Sequence, residues 1–132
     1  MHPGMHYLHM GAWPCYVGFA ATEEAFVAEM KRLNVPDAPR WLNGSATTHC
    51  FDSSRSKAMT CIVTMDPSKR WELAQVAALF AHEALHVVQF MRDDYNRGKP
   101  FDNETESYLV QYMTQEFCNL RSAGTRKRAT SA

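Results

Sequence analysis

A long helical pattern in the second half of the chain limits the folds that it can adopt. Apolar side chains repeat at helical spacing over Pro67 to Tyr95, with Asp66 as the expected cap and Pro67 in the first turn. Residues 96–101 contain Gly and Pro and break the pattern, and a second helix is predicted from about Asn103 to Leu120. Two long helices joined by so short a break favour an antiparallel pair.

The first half of the chain indicates β-strands around one short helix. Strands are predicted at Tyr16 to Phe19, Ala46 to Phe51 and Ala58 to Met65, and a turn of about five residues joins the last two as a hairpin. Thr22 caps a helix that ends before Pro36. The order βαββαα predicts an α+β fold, in which a small antiparallel or mixed sheet of about three strands packs on helices.

Length and charge exclude several classes of protein. The chain has 132 residues with 14 Lys and Arg against 14 Asp and Glu, so we expect one domain over 1–121 and a flexible basic tail over 122–132. Zero net charge argues against a nucleic-acid partner or an anionic membrane surface. We find neither a signal peptide nor an apolar run long enough to span a bilayer, and we therefore expect a cytoplasmic protein.

Four scattered cysteines form no C-x-x-C pair. Without a secretory signal, free thiols are favoured over disulfides for Cys15, Cys50, Cys61 and Cys118. One pair stays open, because Cys50 and Cys61 can face each other across the predicted hairpin.

The residues that carry chemistry lie on the first long helix, where His82-Glu83-Ala84-Leu85-His86 forms an H-E-x-x-H motif. A spacing of four places both imidazoles on one helix face, where they can bind a single ion, with Glu83 beside them to reach a metal-bound water. The alternative is a pair of histidines on a helix flank that are satisfied by hydrogen bonds or solvent, with Glu83 as an exposed helix former.

The second helix offers two carboxylates as a third ligand, because a catalytic zinc site has three protein ligands. Glu104 follows His86 by 18 residues and Glu106 follows it by 20. Glu106 lies on the apolar stripe of its helix, and it also resembles the second half of a capping box that begins at Asn103. The residues alone leave both candidates open.

Asn103-Glu104-Thr105-Glu106-Ser107 resembles the N-E-x-x-[AS] context of the gluzincin metallopeptidases, in which the Glu is the third zinc ligand. The resemblance implies a Zn²⁺ site between the two C-terminal helices with His82, His86 and Glu104 as ligands. Gluzincins often have an acidic residue four positions after the ligand, but this chain has Tyr108 there. Tyr108 or Gln111 is therefore expected to orient a histidine.

A looser resemblance spans about residues 16–117 and is to short H-E-x-x-H proteins of phages and prophages that are described as metallopeptidases. It implies peptide or protein hydrolysis in the host cytoplasm, with Glu83 moving the proton of a metal-activated water. A peptide substrate is expected to add to the strand before the motif, Met59 to Met65. Further candidates to stabilise an oxyanion are Tyr95, Tyr108, Tyr112, Arg92 and Arg97. The competing hypothesis is a phage-type binding or structural protein in which zinc only stabilises the fold.

Overall fold

The computed structural model describes residues 1–52 and 58–130, with side chains for all of these except 125–130. Its α+β class agrees with the prediction, and its sheet is mixed. The described residues form, in order, β1 (Met5–Tyr7), β2 (Cys15–Ala20), α1 (Glu23–Arg32), β3 (Ala46–Asp52), β4 (Met59–Met65), α2 (Leu73–Tyr95) and α3 (Asn103–Thr130).

The prediction of three strands is wrong, because β1 adds a fourth. This strand has only three residues and none that is β-branched, so no local pattern marks it. It forms by pairing antiparallel with β2, where Tyr7 lies opposite Gly18. A Cβ atom at Gly18 would lie 3.1 Å from the His6 carbonyl oxygen, which is closer than ordinary van der Waals contact, so the close approach of β1 favours glycine at this position.

The sheet has the order β1-β2-β4-β3, which places β4 in its interior. β4 pairs parallel with β2 and antiparallel with β3. Every residue of β4 is buried, as expected for a strand that is covered on both faces. The prediction that Met59 to Met65 is an edge for peptide addition is therefore wrong, and β3 is the edge strand beside α2.

Helices cover both faces of the sheet. On one face, the rings of Phe19, Phe80 and Phe117 join β2, α2 and α3, with Phe19 and Phe80 edge to face at 5.6 Å between centroids. On the other face, Phe26 of α1 packs in a smaller cluster with Ile62 of β4. This packing holds α2 against the sheet along its buried stripe.

The helix ends differ in detail from the prediction. α2 begins at Leu73 rather than Pro67, because Asp66 Oδ1 instead accepts hydrogen bonds from the backbone and hydroxyl of Ser68. α3 is capped by Asp102, whose carboxylate accepts from the Thr105 amide at 3.0 Å, and it continues beyond the predicted end to Thr130. The flexible tail over 122–132 stays a prediction, and its last two residues lie outside the described ones.

Cys50 and Cys61 form a disulfide across the β3–β4 pair, at positions directly opposite in register. The preference for free thiols is therefore wrong for these two residues. Cys15 and Cys118 are free, as predicted, and Cys15 is buried.

Among the described helices, α2 alone is long and apolar enough by length and composition to cross a membrane. A core helix meets the same criterion, and α2 buries one face in the fold: Val76, Phe80, Glu83, Ala84, Val87, Val88 and Met91. We therefore interpret α2 as a core helix.

Candidate metal centre

The two histidines of the motif converge on one point above α2. Their Nε2 atoms lie 3.1 Å apart, and the rings are nearly perpendicular at 83°. Two nitrogens that each lie about 2.0–2.1 Å from a tetrahedral zinc ion are about 3.3 Å from each other. The pair of His82 and His86 therefore has the separation that two ligands of one ion require.

Gln89 fixes the ring of His86. Its Oε1 atom lies 3.0 Å from His86 Nδ1, so Nδ1 carries the proton and Nε2 presents its lone pair. With this tautomer, His82 Nε2 is the donor between the two rings, and a metal ion would displace that proton. The site predicted from the sequence lacks Gln89, although residues three positions apart on a helix are neighbours and Gln89 follows His86 by three.

Glu83 points from the same helix to the edge strand. It is buried at 5% exposure, and the Thr48 hydroxyl of β3 donates to its Oε2 atom and approaches its backbone carbonyl at 3.2 Å. Its Oε1 atom has no hydrogen bond among the described residues. Thr48 is 35 residues away in sequence, so no local pattern predicts this contact.

The Glu106 carboxylate forms an ion pair that joins α2 and α3. Arg92 of α2 donates to both of its carboxylate oxygens, with Nε to Oε2 at 2.7 Å, and the Phe101 amide donates to Oε2 at 2.8 Å. The Arg92 guanidinium lowers the pKa of Glu106 below its usual range. Glu106 thus has a structural partner, although Asp102 rather than Asn103 caps the helix.

Glu104 lies exposed in the first turn of α3, and its carboxylate has no hydrogen bond or ion pair among the described residues. Within residues 1–52 and 58–130, no three His, Cys, Asp or Glu side chains form a group that would hold a metal ion. Of the two residues expected to orient a histidine, Gln111 lines the groove between α2 and α3 beside Leu85. Tyr108 lines a different cavity with His9 on another flank of α3.

Three of the oxyanion candidates are engaged elsewhere. Arg92 binds Glu106, Tyr95 donates to the Pro14 carbonyl, and Tyr112 donates to the His9 carbonyl. These bonds hold the N-terminal segment and α3 in place.

The described residues provide two of the ligands that one zinc ion needs. His82 and His86 supply two imidazole nitrogens at the right separation, and Gln89 sets the tautomer of one of them. The carboxylates of α3 do not complete a three-ligand group in this arrangement.

Comparison with known proteins finds no matching family model and no matching curated protein or solved structure. The gluzincin resemblance therefore depends on the motif residues alone.

Proposed function

We propose that this protein is a minimal zinc-dependent metallopeptidase-like protein that hydrolyses a peptide bond. One observation carries the proposal: the Nε2 atoms of His82 and His86 converge to 3.1 Å, with Gln89 holding His86 in the metal-binding tautomer. A hydrogen bond between two histidines on a helix flank gives the same contact without a metal ion, so the zinc content of the protein distinguishes the two interpretations.

Glu104 is the proposed third ligand. It lies on the helix that pairs with α2, is exposed, and has no partner to give up among the described residues. Glu106 would first have to leave the Arg92 guanidinium and the Phe101 amide. Glu104 does not form a three-ligand group with the two histidines in this structure, so binding by Glu104 requires a movement that brings its carboxylate to them.

Glu83 is the proposed catalytic residue. When bound, a zinc ion would lower the pKa of a coordinated water and polarise the scissile carbonyl. Thr48 holds Glu83 through Oε2, which leaves Oε1 to take a proton from the attacking water and pass it to the leaving amine. The bond from Thr48 fixes the carboxylate against the edge strand.

The proposed substrate is an extended peptide that adds to β3. This strand is a sheet edge, and its Thr48 touches the catalytic carboxylate, so a peptide along β3 would pass close to the motif. Main-chain hydrogen bonds would position such a peptide whatever its sequence.

Activity and metal content together test the proposal. Purified protein with zinc is incubated with a mixture of quenched fluorescent peptides, and Glu83→Gln serves as the matched variant. We expect peptide cleavage by the wild type, inhibition by a chelator, and no turnover by Glu83→Gln at unchanged zinc content. Cleavage that Glu83→Gln retains would overturn the proposed role of Glu83.

A second candidate function is a phage-type binding or structural protein in which the metal is a stabilising clip. The observation that favours it is the buried bond from Thr48 to Glu83, which ties α2 to β3 as a structural contact would. In that case chelation lowers the melting temperature, while no peptide is cleaved with or without Glu83.

We also propose a cytoplasmic location, in the host cell if the chain is encoded by a phage. Disulfides are rare in a reducing cytoplasm. The redox state of Cys50 and Cys61 in cells therefore tests this location. Thiol labelling in intact cells distinguishes a reduced pair from an oxidised one.

A further inference from the structure

The histidine pair on α2 supplies only half of the ligands that a zinc ion binds. Zinc in proteins is almost always four-coordinate, and the imidazoles of His82 and His86 account for two positions. Among the side chains that the structure describes, no His, Cys, Asp or Glu joins them as a third ligand, and Glu104 reaches them only after a movement. Before that movement, an ion on the pair has two positions to fill from solvent or from another molecule.

The pair lies at the protein surface, where another molecule can reach it. The His82 side chain is exposed, and that of His86 is half-buried. Gln89 binds the His86 ring through Nδ1 at 3.0 Å, so the Nε2 atom of this ring stays available as a ligand. The two missing ligands can therefore come from outside the chain.

The outer surface of α2 around the pair is uncharged and partly apolar. From Leu73 to Met91, α2 has one residue among Lys, Arg, Asp and Glu, which is Glu83, and this residue is buried against β3. Leu85 and Phe90 are each 42% exposed, and they lie on opposite sides of the pair, Leu85 toward α3 and Phe90 toward β3. Such a surface meets a copy of itself without like-charge repulsion.

We propose that two copies of this chain share one zinc ion through His82 and His86 of each copy. A two-fold axis through the ion brings the same face of α2 from both copies together, so the contact is isologous, as in most homodimers. Four imidazole nitrogens then complete a tetrahedral site with a ligand type that zinc prefers. A second copy fits because it carries both the uncharged surface and the two ligands that the site lacks.

This inference rests on the zinc site of the proposed function, and it makes the supply of zinc a regulator of that site. Structural zinc sites are closed by four protein ligands, whereas catalytic sites keep one position for water. A shared ion therefore leaves no position for the water that Glu83 would deprotonate, and the dimer is inactive. When zinc exceeds the number of chains, each copy binds its own ion, with Glu104 as the third ligand, and the dimer separates.

Analytical ultracentrifugation of the whole, metal-free protein during a titration with zinc tests the proposal. We expect monomers without zinc, mostly dimers at about one ion for two chains, and monomers again in excess zinc with about one ion per chain. His82→Ala and His86→Ala should each abolish the dimer at every ratio. His9→Ala removes a histidine outside the motif, so it is the matched control and should dimerise as the wild type does.

Two further variants separate the contact between copies from zinc binding itself. Leu85→Lys places like charges on the shared face, so the dimer should be about tenfold weaker, while each chain still binds one ion in excess zinc. Glu104→Ala should require about tenfold more zinc to separate the dimer, because it weakens the binding of a separate ion to each copy. Circular dichroism confirms that each variant is folded.

The outcomes distinguish this inference from the proposed function. A protein that binds one zinc ion per chain and stays monomeric at every ratio would overturn the shared ion and leave the proposed function intact. A protein that binds no zinc would overturn both. A dimer that forms without zinc, or that His82→Ala retains, would also contradict the shared ion.

Discussion

The hydroxyl of Thr48 on the edge strand donates a hydrogen bond to the carboxylate of Glu83 on the motif helix. This contact joins two residues that are 35 positions apart in sequence, and it fixes the orientation of the one acidic side chain in the motif. The bond thereby links the stability of the β3–α2 contact to the chemistry that we propose.

A double-mutant cycle measures this link. Thr48→Val keeps the shape of the side chain and removes the donor, so we expect the free energy of unfolding to fall by about 1–3 kcal/mol. Glu83→Ala, which removes the acceptor, should lower the free energy of unfolding less in the Thr48→Val background than in the wild type, with a coupling energy of about 1 kcal/mol from denaturant unfolding. Strictly additive effects would show that the bond contributes nothing to stability.

Glu29 makes folding stability depend on acid pH. Burial alone would raise the pKa of this carboxyl, but hydrogen bonds from Arg32 and Tyr7 outweigh burial and leave the pKa below its ordinary value of 4.5. The unfolded chain therefore binds the proton first, so the stabilisation is complete above pH 4.5 and is lost as pH falls through the folded pKa.

Replacing Glu29 with Gln should lower the free energy of unfolding by about 2 kcal/mol at neutral pH and flatten its decline below pH 4.5. Denaturant unfolding at a series of pH values measures both effects. Glu24→Gln, at an exposed position of the same helix, is the control and should change neither. If the free energy of unfolding declines as steeply at acid pH in Glu29→Gln as in the wild type, other carboxylates cause the decline.

The Cys50–Cys61 bond should stabilise the hairpin. The two residues are 11 positions apart, and closing a loop of this length contributes about 3 kcal/mol through the unfolded state. We expect reductant to lower the free energy of unfolding of the wild type to that of Cys50→Ser/Cys61→Ser, and to leave this variant unchanged. Thiol titration of the unreduced denatured protein should find Cys15 and Cys118 only, and four reactive thiols would contradict the bond.

The two carboxylates of α3 should differ in their effect on metal binding. Glu104→Ala is expected to weaken zinc binding by at least about tenfold, while Glu106→Gln should leave it nearly unchanged and lower the melting temperature, because it breaks the ion pair with Arg92. Competition with a chelating dye measures the affinity in both variants. Loss of zinc from Glu106→Gln alone would identify Glu106 as the ligand.

Local patterns predict all of the described helices and strands except β1. Thr22 caps α1 as predicted and accepts from the Ala25 amide at 3.2 Å, and the β3–β4 hairpin and both long helices lie where their periodicities indicate. No local pattern predicts β1, because its three residues become a strand only through pairing with β2. The edge position predicted for β4 is wrong, although its unbroken buried sequence from Met59 to Met65 is typical of a strand covered on both faces.

The candidate site is predictable only in part, because some of its contacts join residues that are distant in sequence. His82, Glu83 and His86 follow from spacing on one helix, and the structure brings the two imidazoles together. The partners that fix Glu83 and Glu106 come from other elements, so their identity depends on tertiary packing that no spacing encodes.

Metal analysis of the purified protein tests the central claim most directly. After equilibration with zinc and removal of the excess, the account predicts about one zinc ion per wild-type chain, and little in His82→Ala and in His86→Ala, with all three proteins folded by circular dichroism. His9→Ala, which removes a histidine outside the motif, should retain the ion. A folded wild-type protein that holds no zinc, or that holds the same amount after both motif substitutions, would contradict the account.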